Sequence, residues 1–248
     1  MRQPSFGIPQ IDYLAELEKP LDPSLCLGIL SEAFVGCDEE VVEVVQQAIG
    51  LISAAITTSH LSIPEHAFSH ILTSIFYGCG CGGCLDPELV TALRQGLASS
   101  AGPLLPRVKW IRLANTYIED TYGQAIYAKA QKMALVLRAA YDKALGKVDV
   151  LLMPTLPSLP PKIPDEQTSF REAFERSLPQ RKITQAFNAT HFPSLSLNAG
   201  FSSQGLPVGL MIVAKHWQEA KLLRIALEIE RLLMPLQTQK LPTQKISI

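Results

Sequence analysis

Short apolar runs alternate along the chain with longer stretches whose apolar residues recur at helical spacing. Residues 24–30 form an apolar run that is typical of a buried strand. Asp38 then stands where a helix cap is expected, and apolar residues between 41 and 52 mark one broad helix face. Residues 56–64 are strand-like and end in a proline. A strand, a helix and a strand joined by short links predict a crossover unit, and therefore a parallel pair of strands.

The rest of the chain continues this alternation of helices and strands. Gly146 ends the longest helical stretch, and the prolines between 154 and 164 exclude regular structure there. The last two strands are joined through Gly200 and Gly205 and are expected to lie side by side in the core of the sheet. The predicted elements are, in order, a helix over 65–77, a helix starting at 86, one long helix over 115–145, a strand over 148–153, a helical region over 168–188, strands over 194–198 and 207–214, and a helix over 218–233.

These elements predict an α/β fold with a mixed, largely parallel sheet core flanked by helices. No repeat and no linker divides the chain, so residues 1–248 are expected to form a single domain. The polar end, 237–248, is expected to be a frayed tail.

Charge and composition exclude several classes of function. The chain has 22 basic and 23 acidic side chains and no basic run, so neither nucleic acid nor an anionic membrane is an expected partner. No apolar run is long enough to cross a bilayer. Five cysteines, an odd number, and an N-terminus without a secretory signal predict a reduced, cytoplasmic protein. Only 18% of residues are charged, which leaves open homo- or hetero-association through uncovered apolar surface.

Three segments near the C-terminus carry a resemblance to a known family. They are the strand and proline run over 148–164, the stretch FNATHFPSLSLNAGF over 187–201, and the Gly-Leu-Pro turn, strand and helix over 205–230. In these segments the chain resembles the C-terminal portion of an amidase-signature hydrolase. The resemblance covers most of 25–233 and is strongest after 148.

The resemblance implies a hydrolase of amide carbon–nitrogen bonds. Enzymes of that family use a serine nucleophile, a second serine on a cis peptide and a lysine, because a hydroxyl needs an adjacent base at neutral pH. In the family these groups precede the matched segment. The N-terminal half of the fold is therefore expected to be missing, the chain is expected to be inactive alone, and a small-molecule amide is the expected substrate once that half is supplied. The alternative is a non-catalytic binding or partner module, a pseudo-amidase.

No catalytic residue is assigned from the sequence, although three serine sites are possible substitutes. Ser99–Ser100 lacks flanking glycines and is typical of an ordinary loop. Ser202–Ser203 is typical of a surface turn. Ser194 follows His191 by three residues but begins an apolar strand, and no carboxylate is placed to orient the histidine.

The family's C-terminal part supplies one wall of the substrate pocket. By position, the wall residues here are Ile183, Phe187, Asn188, Thr190 and His191. The competing interpretation makes Ile183 and Phe187 one core face of a helix, and Asn188 and Thr190 turn or cap residues. Related sequences usually have glycine at the position of His191, so a left-handed backbone there would strain the histidine.

Two further motifs have possible chemistry, and neither leads us to expect a metal or a cofactor. GCGCGG, 78–83, fits the dinucleotide-binding glycine pattern, but no acidic residue follows at the required distance. His66 and His70 have a spacing common among zinc ligands, but the cysteines that follow, Cys79, Cys81 and Cys84, are irregularly spaced for a zinc knuckle.

Overall fold

The computed structural model describes residues 11–72, 106–123, 125–165, 167–177, 180 and 182–237, with single helical positions at 75, 88, 91, 92, 95, 96 and 99. The strands in this part of the chain are β1 (Cys26–Leu30), β2 (Thr57–Leu61), β3 (Val150–Pro154), β4 (Ser194–Phe201) and β5 (Pro207–Ala214). The α-helices are α1 (Tyr13–Leu17), α2 (Glu39–Ala55), α3 (Pro106–Tyr122), α4 (Ala125–Leu145), α5 (Phe170–Ser177), α6 (Gln185–Thr190) and α7 (Glu219–Gln237), with 3-10 turns at Ser31–Phe34 and Pro64–Phe68.

The strands form one mixed sheet in the order β2-β1-β3-β5-β4. β1 pairs in parallel with both β2 and β3, whereas β5 pairs antiparallel with β3 and β4. The crossover unit β1-α2-β2 is therefore confirmed, as is the mixed sheet flanked by helices. The sheet has two parallel and two antiparallel pairings, because β5 runs antiparallel to both of its neighbours, β3 and β4. β4 pairs with β5 as expected, although it lies at an edge of the sheet and not at its centre.

Side chains of the central strands alternate between two apolar layers. Leu152 and Ile212 point toward α2 and α7. Leu151 and Val213 point toward α4 and α6. Every residue of β3 is buried, which explains why its sequence is continuously apolar. Each fully buried leucine of this kind contributes about 1.5–3 kcal/mol through removal of its surface from water.

Two helical predictions need correction. The stretch predicted as one helix over 115–145 is two helices, because Gly123 adopts φ 63° after α3 ends at Tyr122. A glycine in the left-handed region commonly ends a helix. The apolar period nevertheless continues on both sides of Gly123, so the sequence pattern does not show the break. The helical region predicted over 168–188 contains the separate helices α5 and α6.

Candidate functional site

The predicted wall residues lie on or next to α6, which packs against α4 over one face of the sheet. Ile183, Phe187 and Thr190 have 2%, 4% and 1% of their surface exposed. Asn188 and His191 are exposed. The core-face interpretation of Ile183 and Phe187 therefore describes their packing, and two of the five side chains remain open to a ligand.

Phe187 is held in place by an aromatic cluster, which we define as His66, Tyr141, Phe187 and Phe192. The ring of Tyr141 lies 5.2 Å from that of Phe187 and 5.6 Å from that of Phe192, measured between centroids. His66 is 6.5 Å from Phe187. Tilted and edge-on arrangements at these distances are the favourable ones for aromatic pairs, so the cluster gives α6 a rigid support.

His66 and Tyr141 form the polar centre of this cluster. His66 Nδ1 lies 2.5 Å from the hydroxyl oxygen of Tyr141, and both side chains are buried. Burial lowers the pKa of His66 to about 4, which the nearby Glu32 carboxylate opposes only in part. Burial likewise raises the pKa of Tyr141, with Glu32 adding to the shift. Both groups are therefore neutral at neutral pH, and they satisfy each other's hydrogen bond.

Glu32 anchors the turn that carries His66. One of its carboxylate oxygens accepts the Ile63 N–H at 2.9 Å, and the other accepts the hydroxyl of Ser62. Burial alone would raise the pKa of Glu32, but the hydrogen bonds from Ser62 and Ile63 outweigh it and lower that pKa. The carboxylate thus stays ionised and fixes the segment that precedes His66.

The C-terminal end of α6 is held by backbone and side-chain bonds. Thr190 Oγ1 donates to the Ala186 carbonyl at 2.8 Å, and the His191 N–H donates to the Phe187 carbonyl at 2.7 Å. His216 Nε2 lies 3.0 Å from the Thr190 carbonyl and donates to it, while its ring centroid lies 3.9 Å from that of Phe192 at an interplanar angle of 44°. The role of His216 has no signal in the sequence, because its partner lies 26 residues away.

His191 has φ 63° and therefore lies in the left-handed region. The condition under which histidine is strained at this position, a left-handed backbone, is therefore met. Partial burial of the ring, followed by the charges of Arg138 and His216, lowers the pKa of the His191 side chain. A neutral imidazole is thus exposed next to Asn188 at the end of the helix.

Replacing His191 with glycine is expected to raise the free energy of unfolding. Relief of left-handed strain is worth about 1–2 kcal/mol, and the added freedom of the unfolded chain costs about 0.5–1 kcal/mol, so we expect a net gain of about 0.5–1 kcal/mol. Urea unfolding measures this difference. Asn188→Gly, within the same helix, is the matched control and should lower stability by about 0.5 kcal/mol. Equal losses for both variants would show that the left-handed backbone at His191 is not strained.

The serines that could substitute for a nucleophile have local structural roles. Ser202 makes a turn, since its Oγ accepts the Leu206 N–H at 3.1 Å and its own N–H donates to the Leu206 carbonyl at 2.8 Å. Ser99 Oγ donates to the Gly96 carbonyl at 3.1 Å. Ser194 is exposed in the edge strand β4, opposite Val213. Ser100 lies outside the described residues.

Two other predicted features fall partly or wholly outside the described part of the chain. The glycine motif 78–83 and the cysteines at 79, 81 and 84 belong to the residues that are not described. Among the described residues, no group of three or more His, Cys, Asp or Glu side chains is arranged to hold a metal ion. No described helix has the length and apolar character that a membrane span requires.

A family model described as Amidase matches residues 3–223 of the chain. The chain belongs to the amidase family. This amidase chain is 33% identical over 243 residues to an enantioselective amidase from Rhodococcus rhodochrous, in an alignment covering 91% of this chain and 46% of the relative. It is 30% identical over 235 residues to one of the subunits of glutamyl-tRNA(Gln) amidotransferase from Picosynechococcus, in an alignment covering 88% of this chain and 47% of that relative.

A solved structure of 6-aminohexanoate cyclic dimer hydrolase with its substrate has the same fold, with a TM-score of 0.69 and 23% identity. That match covers 94% of this amidase chain and 50% of the hydrolase. The chain thus spans about half the length of each of these three relatives.

Proposed function

We propose that this amidase chain is the C-terminal portion of a hydrolase of carbon–nitrogen bonds and contributes the substrate wall, while a preceding segment supplies the nucleophile. The family match over residues 3–223, to about half the length of amidase relatives, is the observation that carries the proposal. Amide hydrolysis needs an activated hydroxyl and preorganised donors for the oxyanion. In this proposal both belong to the preceding segment, and this chain alone is inactive.

In this proposal the wall residues orient the substrate. The Asn188 amide and the neutral His191 imidazole are exposed at the end of α6 and are able to hydrogen-bond a small amide substrate. The aromatic cluster behind Phe187 keeps these groups in place. Rigid support of this kind lowers the entropy cost of holding a substrate near the reacting groups.

The sheet and helices leave surface for the proposed second segment. Within the part of the chain that the structure describes, β4 is an edge strand of eight residues, and Gln237 Nε2 donates to its Asn198 carbonyl at 3.0 Å. Edge strands present backbone groups with which a second segment is able to pair. Large apolar side chains are also exposed on helices α3 and α4, including Leu113, Leu135 and Val136. We expect the preceding segment to cover part of this surface. The free cysteines Cys26 and Cys37 are consistent with the cytoplasmic location that we propose.

A non-catalytic binding module is the second candidate. Two observations favour it. Ile183, Phe187 and Thr190 are buried and so do not face a ligand, and His191 has a left-handed backbone that is strained for histidine. A chain of this kind would be stable and monodisperse without a second segment.

An activity assay with complementation tests the proposal. The purified 248-residue chain is expected to show no turnover of simple aliphatic and aryl amides. Addition of the N-terminal half of the Rhodococcus rhodochrous amidase is expected to give turnover, and Asn188→Ala should reduce it, because the wall loses a hydrogen-bonding group. Turnover by the chain alone that a serine-directed inhibitor blocks would contradict the proposal. A formed complex that remains inactive would favour the non-catalytic module.

A further inference from the structure

A cavity of about 470 Å³ lies between the loop that joins α1 to β1 and the last helix, α7. It is open to solvent on one side and lies on the face of the sheet covered by α2 and α7, opposite the face that carries α6. Its volume is within the range of small-molecule sites. Nothing in the proposed amide hydrolysis uses this cavity.

The loop side of the cavity is rigid. Pro20 and Pro23 restrict the backbone of this loop. Asp22 accepts the Ser24 N–H at 2.9 Å and the Ser24 hydroxyl at 2.7 Å, and these bonds lower the pKa of Asp22. Leu21 packs against the core. The cavity is thus formed in the chain before any ligand binds.

The cations that line the cavity differ in their partners. Lys19 pairs with Glu16, and Arg231 pairs with Glu228 at 3.2 Å. Arg224 has no such partner in the part of the chain that the structure describes, and its Nε is buried without an acceptor. A guanidinium is a planar fork of donors that matches a carboxylate in two parallel hydrogen bonds.

The remaining lining restricts the ligand further. Three acidic and three basic side chains line the cavity, so its formal charge is zero and a multiply charged anion is disfavoured. The lining also contains the apolar side chains of Leu17, Leu21, Leu25, Ile56 and Leu227. A ligand with one negative charge and a short apolar part fits both features.

We propose that this cavity binds a small organic monocarboxylate, whose carboxylate is held by Arg224 and whose apolar part lies against Leu21 and Leu227. The site is independent of the proposed hydrolase activity. It requires only that this chain folds.

Titration of the full 248-residue chain with hexanoate, followed by amide resonances in a two-dimensional NMR spectrum, tests the proposal. We expect saturable binding at concentrations up to about 10 mM, with shifts concentrated at Leu25, Thr57 and Leu227. Hexanamide and inorganic phosphate should bind at least about tenfold more weakly, because the first lacks the charge and the second carries too much. Equal binding of either probe, shifts elsewhere, or no saturable binding would overturn the proposal.

Arginine variants add a second, independent readout. Arg224→Gln is expected to weaken hexanoate binding by at least about tenfold, and Arg231→Gln, which changes the cation already paired with Glu228, by less than about twofold. Circular dichroism establishes that each variant is folded. Unchanged binding by Arg224→Gln would overturn the assignment of Arg224. If Arg224→Gln does not fold, Arg224→Lys replaces it, because lysine keeps the charge and lacks the planar donors of the guanidinium. The proposal then requires that Arg224→Lys weakens hexanoate binding by at least about threefold.

Discussion

Replacing Tyr141 with alanine is expected to lower the free energy of unfolding by about 3–5 kcal/mol, the usual cost of truncating a buried aromatic residue. Tyr141 is fully buried and contacts the rings of Phe187 and Phe192. Its removal leaves a cavity and deprives His66 of its hydrogen-bond partner. Urea unfolding followed by circular dichroism measures the loss.

Two control variants separate packing from hydrogen bonding at this site. Tyr141→Phe keeps the ring and removes only the hydroxyl, so it should cost about 1–2 kcal/mol. Tyr117→Ala removes a tyrosine that is 67% exposed and should change stability by less than about 0.5 kcal/mol. A loss for Tyr141→Ala no larger than that for Tyr117→Ala would contradict the aromatic cluster as the support of α6.

Mild acid is expected to destabilise the protein through His66. Its pKa is about 4 in the folded chain and 6.5 when unperturbed, so the unfolded state binds the proton more tightly. The stabilisation by neutral His66 is therefore fully present above pH 6.5 and is lost as the pH falls through 6.5 toward 4. Between about pH 7.5 and pH 4.5 the loss from this group alone is about 2–3 kcal/mol.

A double variant isolates this contribution. His66→Phe with Tyr141→Phe removes both hydrogen-bonding partners together and leaves an apolar pair, which is close to neutral in cost. Between about pH 7.5 and pH 4.5, the free energy of unfolding of the double variant should fall by about 2–3 kcal/mol less than that of the unmodified chain. Glu32, Lys182 and His70 also interact with His66 and are retained in the variant, so the difference between the two profiles reports the titration of His66 together with its coupling to these groups. Identical pH profiles would contradict the burial of a neutral His66.

The elements predicted most accurately are those with an unbroken local signal. The strand over 207–214 agrees with β5 at both ends, because a proline begins it and seven further residues of strand character follow. The helix after Asp38 is predicted by its buried residues, which recur at the helical period. The break at Gly123 is hidden in the pattern since the apolar period continues on both sides of it, although its left-handed φ separates α3 from α4.

The candidate wall shows where local reasoning reaches its limit. The spacing of Ile183 and Phe187 predicts one shared helix face, and both are buried. Spacing does not identify what covers that face. Tyr141 and His66 reach Phe187 from segments 46 and 121 residues away along the printed sequence, and no pattern near residue 187 indicates them.

The amino-acid sequence by itself determined the α/β class, the crossover unit and the amidase resemblance, because each depends on neighbouring residues or on a contiguous motif. Only the tertiary structure decided the order of the strands, the edge position of β4, the pairing of His66 with Tyr141 and, among the described residues, the lack of a partner for Arg224. These features depend on which distant segments come into contact and on which polar groups that contact removes from water. Burial of this kind sets both the pKa of His66 and the need of Arg224 for an acceptor.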